Sequence, residues 1–161
     1  MCFGNSGCIG EMDEALISAW NERVKGNDTV YIVGDMFFRC DRPEEILGRL
    51  KGRKRLILGN HDGSWTGKVE LAKYFQSVDK FLEITDGKRA LTLCHYPLLF
   101  WKHAMRSYMI HGHIHNDTNA DFWPLLRCRD NVLNAGVDIN GFRPVSFDEL
   151  LENNRRWKGE H

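Results

Sequence analysis

Four short apolar runs in this chain each stop at a polar cluster, and that pattern limits the folds available to it. Thr29-Val30-Tyr31-Ile32-Val33 ends at Gly34-Asp35, and Leu56-Ile57-Leu58 ends at Gly59-Asn60-His61-Asp62. Ala90 to Cys94 ends at His95, and Tyr108-Met109-Ile110 ends at His111-Gly112-His113-Ile114-His115. A β-branched run that is apolar on both faces reads as a buried strand. In open α/β sheets, ligands bind beyond the carboxyl ends of strands. The four clusters are therefore expected to meet in one pocket.

The intervening segments read mostly as helices. Glu11 to Val24 places Met12, Leu16, Trp20 and Val24 on one stripe, widened by Ala15, Ile17 and Ala19, with Gly26 as a stop. A second helix is expected from Pro43 to Leu50, a third around Lys68 to Tyr74, and a closing one from Phe147 to Asn154. Phe81 to Ile84 and Ala90 to Cys94 read as a strand pair around Asp86-Gly87, and Val132-Leu133-Asn134 leads into a turn. Lys51 to Arg55 reads as a solvated basic turn. Strands alternating with helices, then more strands, indicate a layered α/β fold. The 161 residues are expected to form one domain over 1–161.

Charge and cysteine usage exclude several classes. Lys plus Arg equals Asp plus Glu at 22 each, so no basic excess points to nucleic acid. No apolar stretch is long enough for a membrane helix. Met1 to Gly10 lacks the basic and apolar regions of a signal peptide. Five cysteines with no C-x-x-C pair suggest a reduced, cytoplasmic setting and no disulfide framework.

Taken singly, each cluster has an ordinary structural reading. Gly-Asp after a strand is a turn, Gly59 to Asp62 an Asx-turn loop, and His95 a hydrogen-bonded core histidine. Together they supply carboxylate oxygen, amide oxygen and imidazole nitrogen, the donors that a hard or borderline divalent cation takes. Three of the seven histidines fall within five residues, and in an extended segment His113 and His115 would face the same way.

The ordered series G-D, G-N-H-D, H and G-H-x-H resembles that of the calcineurin-like metallophosphoesterases, over about residues 11–150. The resemblance implies a sandwich of two β-sheets flanked by helices. It implies that Asp35 bridges two cations, that Asn60, His95 and His113 complete the second cation's site, and that His115 binds the first. His61 would face the substrate as general acid, with Asp62 orienting it. The implied ions are manganese, iron, zinc or nickel, and the implied partner is a small phosphate ester.

The family series begins with a D-x-H motif on a first strand. Met1 to Gly10 contains neither Asp nor His and no strand-like run. The expectation is therefore a shortened start, with the first cation left to Asp35 and His115. Cys2, Asn5 and Cys8 are the nearest substitutes, and nothing in the sequence places them at the site. An open sheet edge is expected to favour pairing with another chain. The reading is a phosphoesterase, weakened by the absent pair. The alternatives are a non-catalytic or single-metal scaffold derived from the same fold, or a mononuclear metal hydrolase. Arg39, four residues after Asp35, reads first as a solvated surface residue, with contact to a phosphate as the alternative, and His103 and His161 are assigned no function.

Overall fold

The structure, a computed structural model, describes residues 10–160. Its elements in chain order are α1 (Glu11–Arg23), β1 (Thr29–Val33), α2 (Pro43–Arg49), β2 (Arg53–Ile57), α3 (Gly63–Thr66), α4 (Leu71–Tyr74) and β3 (Phe75–Asp79). Then follow β4 (Phe81–Thr85), β5 (Ala90–Cys94), β6 (Ser107–His111), α5 (Trp123–Arg127), β7 (Val132–Asn134), a short 3-10 turn (Val137–Ile139) and α6 (Phe147–Glu160).

The strands form two sheets, β1-β2-β3 and β4-β5-β6-β7. All pairings are parallel except β4 with β5. Period-two alternation sorts the side chains into layers. Ile32 of β1 and Leu56 of β2 face outward into a core with Leu16, Ile17 and Trp20 of α1 and Ile46 and Leu47 of α2. Their neighbours Tyr31, Val33 and Ile57 face the other way, onto Leu91, Leu93, Ile110 and Leu133 of the second sheet. On the far side, Met109 and Val132 pack against Trp123 and Leu126 of α5 and Trp157 of α6. Two sheets thus stack face to face between helices, as the sequence implies.

Several local expectations are corrected. The basic run Lys51 to Arg55 is not a turn, because most of it is β2, the central strand of its sheet. Lys54 is buried there. Its Nζ donates to the carbonyls of Leu50 at 2.8 Å and Gly52 at 3.0 Å, and burial lowers its pKa. The expected helix Lys68 to Tyr74 shrinks to Leu71–Tyr74, followed at once by strand β3. Met12 and Ala15 lie on the solvent side of α1. The closing helix runs to Glu160 rather than Asn154.

Among the described residues β1 pairs with β2 alone, and no strand precedes α1. A cavity of about 570 Å³ lies along β1, walled by Val30, Ile32, Leu93, Ile110, Val145 and Phe147 among others.

Candidate metal centre

The four polar clusters do meet, and the meeting depends on close contact between loops. Gly34 has φ +80° and Asp35 φ +51°, so the chain turns sharply as it leaves β1. A Cβ on Gly34 would overlap the Nδ1 of His95 and come within 2.9 Å of the Gly59 Cα. A Cβ on Gly59 would overlap the Asp35 carboxylate and sit 2.6 Å from the Asp35 nitrogen. The G of G-D and the first G of G-N-H-D are thus explained by loop-to-loop packing across 25 residues of sequence.

Asp62 clamps these loops. It is fully buried, and its Oδ2 accepts N–H groups from Asp35 (2.9 Å) and Gly59 (2.8 Å). Its Oδ1 accepts from the Met36 nitrogen (3.0 Å) and the Trp65 indole (2.9 Å). The expectation that Asp62 orients the His61 ring is corrected: four donors occupy both oxygens. Asp62 fixes the backbones that carry Asp35 and Asn60. His61 is tied in by its own backbone N–H, which donates to Asp35 Oδ1 at 2.8 Å. Its exposed ring lies 5.2 Å from that of Phe38, edge to face.

Asp35, His95 and His113 each present a ligand atom within 4.8 Å of the others, and Asn60 joins them. His95 is buried, and its Nδ1 lies 3.0 Å from the Val33 carbonyl. That oxygen only accepts, so Nδ1 carries a proton and Nε2 is the nitrogen left to face the cluster. His95 Nε2 lies 3.0 Å from Asn60 Oδ1, 3.2 Å from Asp35 Oδ2 and 3.2 Å from His113 Nδ1. His113 Nδ1 is also 3.0 Å from Asn60 Oδ1. Ligands held about 2.0–2.1 Å from a tetrahedral ion stand a little over 3 Å apart, so this spacing fits a divalent cation. The pKa of His113 is lowered, first by desolvation and then by repulsion from His95, with Asp35 opposing. The shift disfavours the imidazolium, the direction that ligation requires.

His113 and His115 do not lie on an extended segment. Both have left-handed backbones, with φ +68° and +50°. His115 accordingly turns toward the end of β7, where its Nδ1 is 3.0 Å from Asp138 Oδ2. His111 is buried beneath the loop. Desolvation pushes its pKa down to about 4, and its Nδ1 donates to the Gly112 carbonyl at 2.9 Å.

The pattern of the calcineurin-like phosphoesterase family matches residues 6–159. The chain belongs to the calcineurin-like phosphoesterases. The chain is 27% identical over 147 residues to an uncharacterized protein of Methanocaldococcus jannaschii, covering 89% of the present chain and 76% of the relative. It is 29% identical over 178 residues to the gene 66 protein of Mycobacterium phage L5, covering 89% and 81%. A solved structure, a protein of unknown function from Aquifex aeolicus, shares the fold with a TM-score of 0.68. That similarity covers 91% of the present chain and 87% of the other at 23% identity.

Asn134, Asp138 and Tyr96 of the candidate site escaped the sequence reading, and Phe38 reads there only as packing or a pocket wall. Asn134 is fully buried and its side chain donates to the His115 carbonyl at 2.6 Å. Asp138 meets the His115 ring. Both lie just at or past the end of β7, so the strand-end rule applied to Val132-Leu133-Asn134 would have found them. Phe38 and Tyr96 touch the site's imidazoles, and no sequence signal separates them from packing aromatics. Cys2, Asn5, Cys8 and His161 lie outside the described residues. Among those described, no helix is long and apolar enough to cross a membrane.

Proposed function

We propose that the chain, as one domain, hydrolyses phosphate esters with a divalent cation held by Asp35, Asn60, His95 and His113. One observation supports this above all: His95 Nε2, Asn60 Oδ1, Asp35 Oδ2 and His113 Nδ1 converge with neighbouring atoms 3.0–3.2 Å apart, the spacing of donors around one ion. When bound, the ion supplies Lewis acidity at the phosphoryl group and makes water a better nucleophile. Manganese, iron, zinc and nickel all suit this nitrogen and oxygen set.

The protein groups divide the remaining work. His61 sits on an exposed loop fixed to Asp35 through its backbone, and as imidazolium it donates a proton to the leaving oxygen. Asp62 acts as a positioning residue that holds Asp35 and Asn60 in register. His115, with Asp138 fixing its tautomer, and Asp35 are the residues for a second cation. The three described cysteines, Cys40, Cys94 and Cys128, are free thiols, which supports a cytoplasmic setting.

Manganese or zinc titrations of the parent and of His95→Ala and His113→Ala test the ligand set. Both variants should bind the ion at least about tenfold more weakly, and unchanged affinity in both would refute the assignment. His61→Ala should keep its metal and lose about 10²–10⁴-fold in turnover of an aryl phosphodiester. If metal is lost and turnover is normal once it is restored, the role is wrong.

A second reading, a single-cation scaffold without turnover, is supported by the thin second set. Among the described residues Asp35 and His115 are its only two family-matched ligands, fewer than a catalytic site normally supplies. Metal stoichiometry measured beside hydrolysis separates the two: one ion per chain with no turnover selects the scaffold.

A further inference from the structure

Two large aromatic side chains stand against the candidate centre and remain open to solvent. Phe38 is 42% exposed and Tyr96 46%. Phe38 follows the Asp35 loop, and its ring meets the His61 ring at 5.2 Å with planes 87° apart. Tyr96 follows His95, and its ring meets His113 at 4.6 Å and His95 at 5.1 Å. His61 and His113 are near enough to interact electrostatically. The two aromatics therefore flank one centre from two different loops. Each contact is edge to face, so it leaves ring surface on both residues uncovered. Arg39 adds a cation, its guanidinium lying over one side of the Phe38 ring at 5.2 Å from the centroid.

A single exposed aromatic needs no explanation. Two, each seated on an imidazole of the same centre with a guanidinium beside one, form a surface suited to a flat ring attached to an anion. Offset stacking and edge contacts favour aromatic partners over aliphatic ones of equal area. Stacking is tolerant of ring identity, because every base or aryl group has a π-face.

We propose that Phe38 and Tyr96 are the walls of a subsite for a planar aromatic group carried by the phosphate ester, a nucleobase or an aryl ring. This deepens the phosphoesterase reading and rests on it. The ester's phosphate would face Asp35, His95 and His113, Arg39 would approach its charge, and the ring would lie between the two walls.

Binding rather than turnover gives the cleaner test. Calorimetry on the manganese-loaded chain compares adenosine 5′-monophosphate with ribose 5-phosphate, and phenyl phosphate with methyl phosphate. Within each pair the phosphate is the same and only the ring differs. The expected result is about tenfold tighter binding of the ringed member in at least one pair, the scale that base stacking on an aromatic side chain produces. Preference in the first pair assigns the subsite to nucleobases, and preference in the second alone assigns it to small aryl groups. Phe38→Leu and Tyr96→Leu should each cut the preference to about threefold or less. Both side chains are exposed, so the variants should melt with the parent. Equal binding within both pairs overturns the subsite and leaves the phosphoesterase reading standing. A preference that survives both substitutions also overturns it, since the walls would then lie elsewhere. If none of the four phosphates binds the metal-loaded protein, both readings fall together.

Discussion

Replacing Asp62 by asparagine looks conservative and should be severe. Each Asp62 oxygen accepts two N–H groups: Asp35 and Gly59 at Oδ2, Met36 and the Trp65 indole at Oδ1. Whichever way an asparagine amide is turned, its NH₂ points at two donors. Those two become unsatisfied inside a fully buried pocket. A buried donor left without a partner costs about 1–3 kcal/mol, and the two surviving bonds weaken because the acceptor is no longer charged. The expected loss is roughly 3–5 kcal/mol, a large share of the total stability of a typical domain at about 5–15 kcal/mol. Trp65→Phe removes one donor and leaves the carboxylate satisfied by three, so it should cost less. Ser64→Ala, at an exposed hydroxyl bonded to the His61 carbonyl, should change stability by under about 0.5 kcal/mol. Urea unfolding followed by circular dichroism gives all three values, with an unchanged slope confirming that stability alone has moved. Because Asp62 also fixes the Asp35 backbone, Asp62→Asn should weaken metal binding even where the protein is folded. If Asp62→Asn unfolds within about 1 kcal/mol of the parent, the four-donor clamp is not what holds these loops.

Further consequences follow from the same geometry. Gly34→Ala should abolish high-affinity metal binding and lower the melting temperature, because its Cβ would overlap the His95 ring and the backbone has φ +80°; a metal titration with normal affinity would contradict this. Acid should destabilise the fold through His111. Burial holds its pKa near 4 against an ordinary 6.5, so below pH 6.5 the unfolded chain takes up a proton that the folded chain refuses. Stability is intact above pH 6.5 and is lost as pH falls toward 4, by about 3 kcal/mol in all. Urea midpoints should therefore fall less steeply with pH in His111→Gln than in the parent, and parallel profiles would remove His111 as the cause.

The sequence by itself determined where the site is built. Thr29–Val33, Ala90–Cys94 and their counterparts are strands because β-branched and apolar residues run to an abrupt polar stop. That is local chemistry, and it placed Asp35, Asn60, His61, His95 and His113 at strand ends before any fold was known. The sheet-and-helix order followed from the same alternation. Only the tertiary structure decided what each side chain does there. Lys54 lies in a basic stretch that looks solvated, yet it is interior because β2 runs between β1 and β3 and the carbonyls after α2 receive its Nζ. Phe75–Asp79, with polar residues between its apolar ones, becomes a strand because β2 offers it an edge. Asp62 sits beside His61 in sequence, and Gly59 and Trp65 lie three residues to either side of it, but its other two donors, Asp35 and Met36, come from the loop after β1 that packing brings in. His113 and His115 part because both backbones are left-handed, a choice made by neighbours such as Asn134 and Asp138 some twenty residues on. Strand formation depends on residues a few positions apart, and so it is written locally. The destination of a buried polar group depends on which distant donors and acceptors the fold brings within about 3 Å, and no local pattern records that.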